Sequence, residues 1–193
     1  MARKEKKSKR NTFLVIFIAF IMVSSVIGFL YSGETNKFKY KKMKFTRTEN
    51  GWSTLINNQR LSFTYFPTEV EQIELNPEIL TAISNKPEVD TTSELNDTFS
   101  EEIALAQYDM ALALNKMNIY LRQGFTTNNS FNTPIITCEG STQAVPVIYF
   151  KQSNQTKISL ENDCIIAEAR NNIDILRIKD RLLYSILGIF QIE

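Results

Sequence analysis

Residues 43–67, MKFTRTENGWSTLINNQRLSFTYFP, decide the fold class. Met43 and Phe45 open a strand on one face. Asn50-Gly51 then offers two residues that tolerate the positive φ of a type I′ hairpin turn. Trp52, Thr54 and Ile56 share a face of the returning strand, and Asn57-Asn58-Gln59 turns the chain again. Leu61, Phe63 and Tyr65 share a face of a third strand, which Pro67 ends. The segment reads as a three-stranded meander.

Downstream the period changes. Thr68-Glu-Val-Glu71 has capping-box spacing, and Asn76-Pro77 sets a capping residue before a proline, so short helices are expected near 69–75 and 77–83. A brief strand is expected over 88–92. Ser100-Glu101-Glu102 opens the longest helix, expected to run to Gln123 with Gly124 as its stop. Ile103, Met110, Leu114, Met117 and Leu121 line one face of it, and Leu105, Tyr108, Leu112 and Ile119 a second. So wide an apolar arc predicts a central helix packed on two sides. A polar loop over 125–134 is followed by four short strands at 135–139, 145–151, 156–160 and 164–169. Asn172-Ile173-Asp174 caps a last helix carrying Ile175, Ile178, Leu182, Leu183, Ile186 and Phe190. Strands, helices, strands, helix is the order of an α+β domain with a mixed, mostly antiparallel sheet.

Upstream lies a stretch of another kind. No charged side chain occurs from Phe13 to Gly33, whereas six of the first ten residues are Lys or Arg. About 20 apolar residues cross a bilayer core. The expectation is therefore a basic cytoplasmic tail over 1–11, a transmembrane helix over 12–33, a basic juxtamembrane linker over 34–42 and an extracytoplasmic domain over 43–193. The competing reading is a secretory signal cut near Val23-Ser24-Ser25, but six more apolar residues follow that site. Lys and Arg flank the apolar run on both sides. The tail's positives abut it and a short basic tail is costly to translocate, which sets the N-terminus inside a cell membrane crossed once. The linker's Lys37-Phe-Lys-Tyr-Lys41 suits either anionic lipid headgroups or a solvated strand edge.

Charge is divided unevenly. Residues 1–47 hold 12 basic and 2 acidic groups, net +10, and residues 48–193 hold 10 basic and 19 acidic groups, net −9. An acidic domain excludes nucleic acid as a surface partner. The expected partners are the lipid bilayer and other envelope proteins. Cys138 and Cys164 read as one disulfide between nearby strands, closing a loop worth about 3–4 kcal/mol. A redox-active pair would favour Cys-x-x-Cys spacing.

The chain has no histidine. That removes Ser-His-Asp and Cys-His machinery and makes ordinary zinc sites improbable. No phosphate loop or EF-hand loop is present, and no cofactor or metal is expected. Glu69/Glu71 and Glu101/Glu102 sit where helix starts explain them, so no catalytic residue is assigned. A pocket with two buried carboxylates, or a Ser–Lys pair in hydrogen-bond reach, would count against that. Asn96, Asn128 and Asn154 fit the glycosylation acceptor pattern, although 17 Asn and 31 Ser plus Thr yield about three such sites by chance.

The basic tail, the single span, Phe63-Thr-Tyr-Phe-Pro67, Ile136-Thr-Cys138, Asn162-Asp-Cys164-Ile-Ile166 and Asp180-Arg181-Leu-Leu-Tyr184 resemble uncharacterised short membrane-anchored proteins of archaea. That likeness implies no activity. Val145-Pro146-Val-Ile-Tyr-Phe-Lys151, with a turn, a strand and a last helix, is similar to the C-terminal half of thioredoxin-like domains. The Cys-x-x-Cys of that family is missing. Two functions follow: a membrane-anchored extracytoplasmic binding or assembly module, or a degenerate thioredoxin-like thiol-handling protein or envelope enzyme.

Overall fold

A computed structural model describes residues 5–32, 36–83 and 86–191, and the chain divides into two compact units, 1–37 and 38–193. In the first unit α1 spans Glu5–Ser32. Its side chains are described for 12–27, where Phe13, Phe17, Phe20 and Met22 are exposed. Among the described residues no helix is long and apolar enough to cross a membrane. The transmembrane helix expected over 12–33 is corrected accordingly: α1 does not combine the length and apolarity that a crossing needs. Residues 1–4 of the basic tail and 33–35, where span was to meet linker, lie outside the described residues.

The second unit is α+β with two sheets. The first is ordered β1 (Lys37–Tyr40), β2 (Met43–Thr48), β3 (Gly51–Ile56), β4 (Gln59–Phe63). The meander is present, with Phe45 opposite Thr54 and Thr54 opposite Leu61. Its turns differ in kind from the expectation. Asn57 and Asn58, with φ of 50° and 62°, are the central pair of the β3–β4 turn and have the two positive φ angles of type I′. At the β2–β3 hairpin the loop is Glu49-Asn50, and Gly51 already pairs with Thr48. The linker is also more than a spacer, because β1 joins the sheet. Phe38 meets Trp52 edge-on at 5.0 Å, and the Tyr40 hydroxyl donates to Glu71 Oε2 at 2.6 Å.

The second sheet is ordered β6 (Tyr120–Phe125), β5 (Glu88–Ser93), β7 (Val147–Gln152), β9 (Cys164–Ala169), β8 (Lys157–Glu161). Only β8 runs antiparallel to its neighbour, while β6, β5, β7 and β9 are parallel. The expectation of a mostly antiparallel sheet fails here because α3 (Ser100–Asn115) is shorter than its pattern. Asn118 takes φ +60° and the Ile119 N–H donates to the Leu114 carbonyl, which stops the helix and frees 120–125 to become a strand. Strand, helix and strand then form a parallel unit. Gly124, read as the helix stop, lies within β6. A Cβ there would stand 2.4 Å from the Pro134 carbonyl oxygen, so the residue marks a close backbone approach. The strand expected over 135–139 reduces to one bridge, Ile135 with Phe125, and a 3-10 turn at Cys138–Gly140.

α2 (Glu78–Ile83) starts one residue later than expected, with Asn76 Oδ1 accepting from the Glu78 N–H. α4 (Asn172–Ile186) starts one residue earlier than expected, capped by Asn171 Oδ1 on the Asp174 N–H. α3 and α4 form the middle layer between the sheets, buried through Ile103, Met110, Leu114, Ile175, Ile178 and Leu182. Tyr184 of α4 stacks on Phe63 at 4.2 Å and carries the core across to the first sheet. The far face of the second sheet, Val147, Cys164 and Ile166, is covered by Ile136 and Cys138. Leu105, Tyr108 and Leu112 are 47%, 58% and 50% exposed, so α3 is not buried on two sides as its pattern suggested.

Candidate functional site

The strand order places a topological switch in the second sheet. From β5 the chain crosses through α3 to β6 on one side and later returns to β7 on the other. Loops leaving the carboxyl ends of β5 and β7 therefore part in opposite directions, and the crevice between them is where open parallel sheets hold ligands. A cleft of about 600 Å³ lies there, lined by Glu94, Asn96, Asp97 and Thr98 after β5, by Lys151, Gln152, Ser153 and Asn154 at the end of β7, and by Glu168 of β9.

Its lips are held in place by hydrogen bonds. Asp97 Oδ1 accepts from the Phe99 N–H at 2.8 Å, and Oδ2 accepts from the Gln152 N–H at 3.3 Å across the crevice. The Tyr149 hydroxyl donates to Glu94 Oε1 at 3.1 Å; burial first, and then the Glu94 carboxylate, pushes that phenol up to about 12. Glu168 meets Lys157 at 3.1 Å and Lys151 at 3.6 Å. Burial would raise its carboxyl, but Lys157, Ser153 and Lys151 outweigh burial and hold it below its usual value. Three carboxylates face one lysine in the lining, so the cleft is polar and net negative.

A second cluster lies beneath a groove of about 440 Å³ between α3 and β4, lined by Leu61, Phe63, Thr64, Leu105, Asp109, Leu112 and Leu176 among others. Lys179, 1% exposed, donates to Thr64 Oγ1 and to Asp109 Oδ2, each at 3.0 Å, and faces Asp180 Oδ1 at 2.9 Å. Asp180 is fully buried and its Oδ2 accepts from the Thr64 and Tyr65 N–H groups at 2.8 and 2.7 Å. Desolvation pushes its carboxyl up to about 6 against the pull of Lys179 and the two amides. This is near the arrangement that would argue for catalysis: a hydroxyl beside a lysine with two carboxylates. The direction of the bond decides against it. Lys179 donates to Thr64, so it cannot at the same time take the hydroxyl proton. The cluster ties the end of β4 to α4 and α3.

The residues singled out by sequence are scattered. Asn96 and Asn154 stand exposed on opposite lips of the cleft, and Asn128 is exposed in the loop after β6. Cys138 and Cys164 are joined, with Cα atoms 5.3 Å apart, although Cys138 lies in a 3-10 turn and not in a strand. Glu69 accepts from the Phe66 N–H, Glu71 from Tyr40, and Glu102 from Asn172, and none of the four glutamates lines the cleft or the groove. Among the described residues no group of three or more His, Cys, Asp or Glu is placed to hold a metal ion.

Sequence reasoning missed Glu94, Asp97, Glu168, Lys179 and Asp180. For the last two a signal existed: they interrupt the apolar spacing of Ile175, Ile178, Leu182 and Leu183, which marks charges at core positions. No family model, curated protein or solved structure matches the chain.

Proposed function

We propose that residues 38–193 form an extracytoplasmic binding module whose ligand occupies the cleft at the ends of β5 and β7. The observation that carries this reading is the coincidence of the switch point with a polar cleft of about 600 Å³. The Cys138–Cys164 bridge supports a place outside the cytoplasm, where disulfides persist. The exposed apolar side chains of α1 support association with lipid at a membrane surface. Carboxylates and side-chain amides suit a small neutral ligand rich in hydroxyls, while the net negative lining repels anions.

The test is an NMR titration of the protein with neutral saccharides, and with sugar phosphates as the anionic comparison. Shifts at Glu94, Asn96, Gln152 and Asn154 with the neutral set, lost in Asp97→Ala, are expected. Shifts confined to other surfaces, or none with any ligand, would overturn the reading.

A second reading, hydrolysis by Thr64 with Lys179, is favoured by their 3.0 Å separation under an open groove. It ranks below the first because Lys179 is the donor in that bond. Esterase or amidase turnover abolished by Thr64→Val would reverse the ranking.

A further inference from the structure

We propose that α3 is a self-association surface, on which a second copy of this chain packs its own α3 antiparallel across a two-fold axis. Leu105, Tyr108 and Leu112 form a stripe at alternating spacings of three and four on the solvent side of α3, each about half exposed. That spacing keeps one helix face toward a partner helix. Single exposed apolar residues mean little, but a stripe of three beside a groove walled by Leu61 and Leu176 marks an interaction face.

The occupant follows from the order of residues along the stripe. Glu101 and Lys116, both exposed, bound it at its N- and C-terminal ends. The pattern is symmetric about the midpoint between Tyr108 and Asp109: Leu105 and Leu112 are equidistant from it, and so are Glu101 and Lys116. An antiparallel pair of α3 helices therefore sets Leu105 against Leu112 of the second copy, and Glu101 against Lys116 of the second copy, each contact occurring twice. Tyr108 falls beside the axis, next to Asp109 of the second copy and close to its own counterpart. A self-complementary patch of this kind is what a two-fold interface requires. A parallel pair would set Glu101 against Glu101 and Lys116 against Lys116, and is disfavoured by like charge. One helix of 16 residues buries less than the roughly 800 Å² per partner of a standard interface, so the pairing is weak in free solution. It gains where the chains are concentrated on a common surface.

The experiment uses the full chain in detergent micelles. The two native cysteines are bridged to each other, so Tyr108→Cys introduces the single free thiol. Oxidation of Tyr108→Cys is expected to give a disulfide-linked dimer. Adding Glu101→Lys or Lys116→Glu turns two attractive contacts into two repulsive ones, and each is expected to lower the dimer yield about tenfold. The double charge swap restores it, and so does mixing the two single-swap proteins, in which both cross-axis contacts are again opposite in sign. Each variant's melting temperature is compared with that of Tyr108→Cys alone. Where a single swap fails to fold, the double swap and Leu105→Asp carry the test. No dimer from Tyr108→Cys, a yield indifferent to the charge swaps, or a mixture that stays monomeric would each overturn the proposal.

Discussion

Lys179 is buried between two carboxylates, those of Asp109 and Asp180. Replacing it by Met leaves Asp180 buried without its counter-charge, and an uncompensated buried carboxylate costs on the order of 3–5 kcal/mol. A fall of that size in urea-unfolding free energy for Lys179→Met is expected; a change below about 1 kcal/mol would mean that the ammonium was not answering that charge. Asp180 also has a pH signature. Its carboxyl is raised to about 6 when folded, above the usual Asp value near 3.9, so the folded state binds the proton more tightly. The stability this gives is fully present below about pH 4 and is lost as pH rises through about 6. Against Asp180→Asn, the native chain is expected to lose stability between pH 4 and 6.5 and to run parallel above that; an opposite slope would show that Lys179 and the two amides outweigh desolvation. The apolar spacing of α4 marks both charges as buried, but the partners Thr64 and Asp109, which set the size of each effect, come from distant parts of the chain.

Among the elements, β6 shows how a local rule can mislead. Gly124 after an apolar helical pattern reads as a helix stop, yet Asn118 ended the helix first and the glycine serves a close crossing under Pro134. Gly124→Ala is expected to cost about 1–3 kcal/mol, because its Cβ must displace the Pro134 carbonyl or the Ile136 side chain; an unchanged urea midpoint would show that the loop yields freely. Reduction of the Cys138–Cys164 bridge, or Cys138→Ser with Cys164→Ser, is expected to lower stability by roughly 3–4 kcal/mol. The elements with strong short-range chemistry, β2 to β4 and β7 to β9, were legible because turns and alternation are local signals. The parallel pairing of β5 with β6 and β7 was not, since nothing in a strand's own residues states which neighbour it will take. The cleft was hidden for the same reason: it exists only because that pairing parts two loops.

At the scale of the molecule, one continuous core runs from Phe45, Trp52 and Phe63 through Tyr184 to Ile148 and Ile165. Two sheets sharing a core through α3 and α4 are expected to unfold together. Trp52 is the chain's one tryptophan and reports the first sheet. Its fluorescence and the hydrogen-exchange protection of β7 and β9 are expected to collapse at the same denaturant concentration; separate midpoints would divide the domain into two cooperative units. The clamp that unites those sheets also sets a tempo. Asp180 reaches Thr64 across 116 positions of sequence, and Tyr184 donates to the Tyr65 carbonyl across 119. Contacts so remote must wait until a long loop has closed, which slows folding by orders of magnitude relative to chains rich in local contacts. The meander can form early from its own turns, but its apolar face stays bare until α4 arrives. During that interval the nascent chain is open to aggregation, and its survival depends on how soon the final helix finds the first sheet.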